Sequence, residues 1–224
     1  VSNRMFRCLA DQHVNIFMIS TSQIKISALV AREQAELAIH TVHTKFELEQ
    51  ASRPNSQAES PAITPIADSA EAANRLHDME ELSITDIGLD ESQASLSIKG
   101  IPDTPGVAAT IFDATAAAGI VVDMIIQSYL DQDNIASISL TVPRRDVEKT
   151  VNVLQQLTGD FQGEQEIVSN PAIAIVSVSG IGMRSHTGVA LRMFQALSDA
   201  KINIEMMNTS EMRVSIVVDS EHAE

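Results

Sequence analysis

The stretch Ala94-Ser95-Leu96-Ser97-Ile98-Lys99-Gly100-Ile101-Pro102-Asp103-Thr104-Pro105-Gly106-Val107-Ala108-Ala109-Thr110-Ile111-Phe112 decides the fold. Ala94 to Lys99 alternates small or polar residues with apolar ones at period two, as a half-buried strand does. Ile101 to Gly106 is a loop carrying Pro and Gly. The period then changes. Val107, Ile111, Ala114, Thr115 and Ala118 recur at helical spacing. Further on, Val121 to Gln127 and Ile135 to Val142 read as two strands joined by a turn, and Pro143 suits the first turn of a closing helix, Arg144 to Leu157. The order is β-α-β-β-α, and one more strand completes a split βαβ sheet with two helices on one face.

The unit is repeated. At an offset of 188, Arg4-Met5-Phe6 recurs as Arg192-Met193-Phe194, Asn15-Ile16 as Asn203-Ile204, and Thr21-Ser22 as Thr209-Ser210. At an offset of 82, Gly106-Val107-Ala108 recurs as Gly188-Val189-Ala190, Phe112 as Phe194 and Met124 as Met206. Ungapped identities of this kind mark copies of one supersecondary unit. In the last copy the strands are Ala172 to Ser179, Asn203 to Met207 and Met212 to Val218, and the helical period is Val189, Met193, Ala196, Leu197 and Ala200.

The expected organisation follows. Residues 1–49 are the C-terminal part of a module and keep its closing helix, Arg32 to Phe46. Residues 50–81, with Pro54, Pro61 and Pro65 among Ser, Ala, Gln and Glu, form a linker with a short helix near Ala70 to Met79. Residues 83–158 form a module whose first strand, 83–90, is expected to be shared with the next, and residues 165–224 form a further one truncated at its closing helix. The fold class is α+β: ferredoxin-like βαββαβ modules in tandem, with antiparallel sheets and helices on one face. Both ends of the sequence fall inside a module, which leads us to expect a protein that extends further in both directions. A unit this small buries little apolar surface alone, so tandem and dimeric pairing is expected.

Composition removes several classes of function. Lys+Arg 15 against Asp+Glu 30 gives a net charge of -15, which repels nucleic-acid phosphates and anionic membranes. Aromatics make up 3% of the chain, and the central strands offer no rings for RNA bases to stack on. Cys8 is the single cysteine, which suits a reducing cytoplasm. No apolar run approaches the ~20 residues of a membrane-spanning helix. Gly180, Gly182 and Gly188 lack the acidic strand end of a dinucleotide fingerprint. Arg184-Ser185-His186 offers one arginine where an acyl-phosphate cradle needs several. His40 and His43 lack a third metal ligand at meaningful spacing.

The motifs as a set resemble one family. Ile101 to Ala109, Asp123-Met124-Ile125-Ile126-Gln127 and Thr141-Val142-Pro143-Arg144 resemble the first ACT module of aspartate kinases. Gly182-Met183-Arg184-Ser185-His186-Thr187-Gly188-Val189-Ala190, followed by Asn203-Ile204-Glu205-Met206 and Thr209-Ser210-Glu211, resembles the second. Residues Val1 to Leu48 look like the end of another second module, so the array is longer than usual. The resemblance implies an allosteric region that binds lysine or threonine and controls an attached kinase domain of the same protein, in a homodimer paired through its modules. ATP and Mg belong to that kinase domain, whose motifs are missing from this sequence. No cofactor, catalytic residue or metal is expected in the chain itself.

The residues give the effector site a physical basis. A free amino acid presents an ammonium and a carboxylate. Asp103 is an anionic acceptor, the amides at the helix start past Pro105 favour a carboxylate, Gly106 allows close approach to the backbone, and Gln127 can donate and accept. The resemblance adds Thr104, Val107 and Ala108 from the same loop and Val121, Val122 and Asp123 from the next strand. From the partner module it adds Val189, Ala190, Asn203, Ile204, Ser210 and Glu211. The sequence departs from the family's usual residues at Val121 (commonly Asn), Ser128 (commonly Asn) and Ala136-Ser137 (commonly Thr-Asp). The alternative is a ligand-free ACT-type module that only pairs chains.

Overall fold

The computed structural model describes residues 2–21, 25–48, 83–130, 134–159, 161, 163–181, 188–210 and 212–222. The linker at 50–81, with the short helix expected in it, lies outside them. In chain order the elements are α1 (Ser2–Asp11), β1 (Met18–Thr21), β2 (Ile26–Leu29), α2 (Ala35–Lys45), β3 (Ser83–Asp90), β4 (Gln93–Pro102), α3 (Val107–Ala117), β5 (Ile125–Leu130), β6 (Ile135–Pro143), α4 (Val147–Thr158), β7 (Glu166–Asn170), β8 (Ile173–Ile181), α5 (Gly188–Asp199), β9 (Met206–Thr209) and β10 (Arg213–Asp219). Short 3-10 turns at 32–34 and 144–146 lead into α2 and α4, so each closing helix starts later than its sequence period suggests.

Two antiparallel sheets form. Six strands run in the order β2-β1-β5-β6-β4-β7, and four run β3-β8-β10-β9. The larger sheet is therefore composite. β1 and β2, from the N-terminal segment, join the edge of the module built by β4 to β7 at the single pair Ser20↔Ile126. β3 pairs with β8 and so belongs to the smaller sheet, as expected of a strand shared with the last module, while β7, at the start of the last segment, pairs with β4 and closes the larger one.

The alternation read in the sequence sorts residues between the faces of the larger sheet. Leu96, Ile98, Ile138 and Leu140 face the helices and are fully buried with Ile111 and Leu154. On the opposite face Ser97 and Ser139 are within hydrogen-bond distance, 2.8 Å apart. That face stacks on the smaller sheet, where Met124 and Ile126 meet Ile173, Ile175, Met206 and Val217. α1 packs on α3 through Phe6 and Phe112, whose ring centroids lie 5.1 Å apart. The two rings are 1% and 4% exposed, and each such burial contributes roughly 1.5–3 kcal/mol.

The expected strand from Val121 begins only at Ile125. Asp123 and Met124 still exchange backbone bonds with Thr141 at 3.1 and 3.0 Å, but the Met124 amide goes to the Thr141 hydroxyl and the Ile125 amide to the Thr21 hydroxyl, so the pairing there is irregular. All three copies place a residue with positive φ at the same repeat position: His13 (54°), Gly119 (66°) and Lys201 (58°). The repeat is thus one of backbone conformation as well as of residue type.

Candidate functional site

A small recess lies where the N-terminal segment meets the β4–β7 module. Its outer wall is the loop Asp103 to Ala108 leading into α3. Its floor is apolar, from Phe6, Val14, Ile101, Ala136 and Ile138, and Asn15, Ile16 and Gln127 close the remaining side. The loop takes this shape because Gly106 sits at φ 102°, a region closed to side-chain-bearing residues at little cost. Gly106 precedes the first helical turn, where the Val107 amide bonds back to the Thr104 carbonyl at 3.3 Å and the amides of Ala108 and Ala109 are left without an intrahelical partner.

The polar groups of the recess are few and fixed. Gln127 is 5% exposed and donates from Nε2 to the Ile16 carbonyl at 2.7 Å. Its Oε1 is buried and has no hydrogen-bond partner. Asn15 Nδ2 donates to Asp103 Oδ2 at 3.2 Å. An acceptor without a donor, a carboxylate and helix-start amides thus line one small apolar basin. This set suits a small zwitterion: ammonium toward Asp103 and Gln127 Oε1, carboxylate toward the start of α3.

Asp103, Thr104, Pro105, Gly106, Val107, Ala108 and Gln127 are brought together as the sequence suggests. The other expected residues lie elsewhere. Val121 is 68% exposed outside the recess, and Val122 packs into the core beside it. Asp123 gives its carbonyl to the Thr21 hydroxyl at 3.1 Å. Its carboxyl pKa is raised by partial burial and by Asp90, against the opposing pull of Arg213. Val189 and Ala190 pack against Val178 and Val214. Asn203 is exposed, Ile204 packs near Phe194, and Ser210 shapes the turn before β10 by accepting the Arg213 amide at 3.0 Å. Glu211 lies outside the described residues.

The reason for this placement is topological. The last module stacks on the back of the larger sheet, so Asn203-Ile204 cannot reach the loop at 103–108. Their repeat counterparts, Asn15-Ile16, reach it instead, because β1 adds to β5 and α1 packs on α3. The offset-188 repeat was the available signal for Asn15. Among the described residues, no group of three His, Cys, Asp or Glu side chains is placed to hold a metal ion, and no helix is long and apolar enough to cross a membrane.

The ACT domain family model matches residues 1–46, 95–157 and 176–224, well over half of the sequence. The chain belongs to the ACT domain family. The chain is 43% identical over 146 residues to an aspartate kinase of Stutzerimonas stutzeri, across 65% of this chain and 35% of that protein. It is 38% identical to an aspartokinase of Helicobacter pylori over the same shares. The aspartate kinase of Synechocystis superimposes on 99% of this ACT chain with a TM-score of 0.78 and 37% identity, over 34% of its own length. The regulatory subunit of aspartate kinase from Thermus thermophilus, in its ligand-free form, matches 62% of the chain and 91% of itself, with a TM-score of 0.58 and 36% identity. The chain therefore spans about a third of the curated relatives it matches and most of the regulatory subunit's length. Its ACT modules are similar to the regulatory portion of aspartate kinases.

Proposed function

We propose that this chain is the amino-acid-sensing region of a cytoplasmic aspartate kinase, and that the recess between Asn15-Ile16 and the 103–108 loop takes lysine or threonine. The single observation that carries this reading is the buried, unpartnered Oε1 of Gln127, a residue that lines the recess together with Asp103. A buried acceptor without a donor costs free energy unless something supplies one, and an ammonium or hydroxyl group does. Similarity to aspartate kinases, over 65% of the chain in one sequence relative and 99% in one solved structure, supplies the enzyme context.

The mechanism is a population shift. The recess is built from two modules distant in sequence, so a ligand seated in it holds α1 against α3 and β1 against β5. It alters an attached kinase domain, where ATP and Mg would act, only to the extent that it prefers one arrangement of the modules; about 1–3 kcal/mol is the usual coupling. A homodimer paired through the modules belongs to the same reading.

One contact favours a second reading, a ligand-free pairing module. The Asn15–Asp103 hydrogen bond already joins the two segments and satisfies one carboxylate oxygen. Calorimetric titration of the chain with lysine and with threonine decides between them, repeated with Asp103→Ala. Saturable heat from one amino acid, lost in the variant, supports sensing. No heat from either, with a folded sample, leaves pairing as the function.

A further inference from the structure

Strands β1, β5 and β9, one from each unit, converge on one point. Ser20, Ile126 and Asn208 hold the same position in the repeat, as the offsets of 188 and 82 place them. Ser20 and Ile126 form the single pair that joins β1 to β5. Asn208, on β9 of the smaller sheet, reaches the same place across the stacked sheets. Its side-chain amide works in both senses: Oδ1 accepts the Ser20 hydroxyl at 3.1 Å, and Nδ2 donates to the Thr21 carbonyl. A run of polar contacts leads from there to the recess. The Thr21 hydroxyl bonds the Asp123 carbonyl and the Ile125 amide, and two residues further along β5 Gln127 bonds the Ile16 carbonyl at 2.7 Å.

We propose that Asn208 is a positioning residue for the recess, acting through β1 without lining the recess itself. The amino-acid site that it positions rests on the reading above. β1 has four residues and one ladder pair to β5, so the backbone alone determines its seat weakly. Asn15-Ile16, the inner wall of the recess, come just before β1 and follow its position. α1 holds the chain ahead of that wall through Phe6 on Phe112, and Asn208 holds the chain behind it. An amide that donates to a backbone carbonyl and accepts from a hydroxyl fixes the orientation of the strand as well as its place. The clip is itself anchored, since Asn208 pairs with Ser215 of β10 in the smaller sheet. Linkage makes the effect mutual. A ligand that holds Asn15-Ile16 in place tightens the clip, so the last module registers the occupancy of a recess that none of its described residues lines.

Hydrogen–deuterium exchange on the whole chain, without ligand and with saturating lysine or threonine, provides the test. Without ligand, Asn208→Ala should speed exchange over residues 16–21 at least about fivefold, the effect of losing one net hydrogen bond, and leave α4 unchanged. Ser20→Ala removes one of the two bonds and should do less, and the double variant should do no more than Asn208→Ala. With the amino acid bound, the wild-type chain should gain protection at 103–109, at 16–21 and at 206–209. In Asn208→Ala the affinity should fall at least about fivefold by calorimetry. At saturation the variant should lose the protection at 206–209 and keep that at 103–109. An asparagine with a purely structural role would lower stability without uncoupling 206–209 from the ligand. Wild-type exchange over 16–21 in Asn208→Ala overturns the proposal, as does ligand protection at 206–209 that survives the substitution. If neither amino acid binds the wild-type chain, the sensing reading fails, and the ligand-free comparison still decides whether Asn208 holds β1.

Discussion

Gln127 donates its side-chain amide to the Ile16 carbonyl at 2.7 Å, and that bond fastens the inner wall of the recess to a segment from the far end of the sequence. The two residues share no local structure. Gln127 lies on β5, and Ile16 lies in the approach to β1. Their meeting depends on the β1–β5 pairing, so the site exists only when the N-terminal segment is docked.

Gln127→Met therefore tests docking and binding together. Methionine fills a similar volume but leaves the Ile16 carbonyl without its donor. An unpaired buried group costs about 1–3 kcal/mol, and the thermal unfolding midpoint should drop accordingly. Amino-acid binding should disappear in calorimetry, because the unpartnered Oε1 goes as well. An unchanged midpoint would show that the bond contributes nothing to docking.

Thr21→Val examines the same junction from the other strand. The Thr21 hydroxyl, 6% exposed as a residue, donates to the Asp123 carbonyl at 3.1 Å and accepts the Ile125 amide at 3.0 Å. Valine has nearly the same shape and cannot do either. Leaving the Ile125 amide buried and unpaired should cost about 1–3 kcal/mol by denaturant titration. Thr21→Ser should recover most of that loss. Equal damage from both variants would point to packing of the methyl group instead.

Much of the fold was legible because the residues report it locally. The Ser/aliphatic alternation of β4 and β6 names their two faces, and the helical period after Gly106 begins where α3 does. The loop half of the site was legible for the same reason: Asp103, Gly106 and Ala108 are neighbours in sequence. What was not legible is which copy of a repeated unit completes the recess. Asn15-Ile16 and Asn203-Ile204 are identical dipeptides, and no local pattern says which sits beside β5. That choice is made by long-range packing, through Phe6 on Phe112 and through the stacking of Met124 and Ile126 on the smaller sheet. The assignment of β7 to the larger sheet has the same origin, since Ile167 is needed to cover Ile98 at the edge.

Gly106→Ala separates backbone conformation from space. A Cβ at this position would have only Ala10 Cβ nearby, at 3.9 Å, an ordinary contact. The cost is therefore in the backbone, at φ 102°, and should be about 1–2 kcal/mol if the loop holds its shape. The loop can also relieve the strain by moving the first turn of α3. In that case amino-acid affinity should fall more than stability does, which parallel melting and calorimetry would reveal. A variant with wild-type affinity and lowered stability would place the ligand away from the 105–108 backbone.

The carboxyl of Asp123 gives the chain a pH dependence whose sign can be worked out. Although the residue retains considerable exposure, partial burial raises its pKa first of all. Asp90, on β3, adds to the rise, and Arg213, on β10, opposes it. A carboxyl with a raised folded pKa binds its proton more tightly in the folded state than in the unfolded one. Stability linked to this group is therefore greatest in acid and declines as pH rises from the ordinary value of 3.8 through the folded pKa. Asp123→Asn removes the ionisation and keeps the backbone bonds to Thr21 and Thr141. The variant should be more stable than the parent at neutral pH, and the difference should shrink to nothing as pH falls below 3.8. Denaturant midpoints measured across that range provide the check. A parent more stable than Asp123→Asn at neutral pH would mean that Arg213, rather than burial and Asp90, dominates the site.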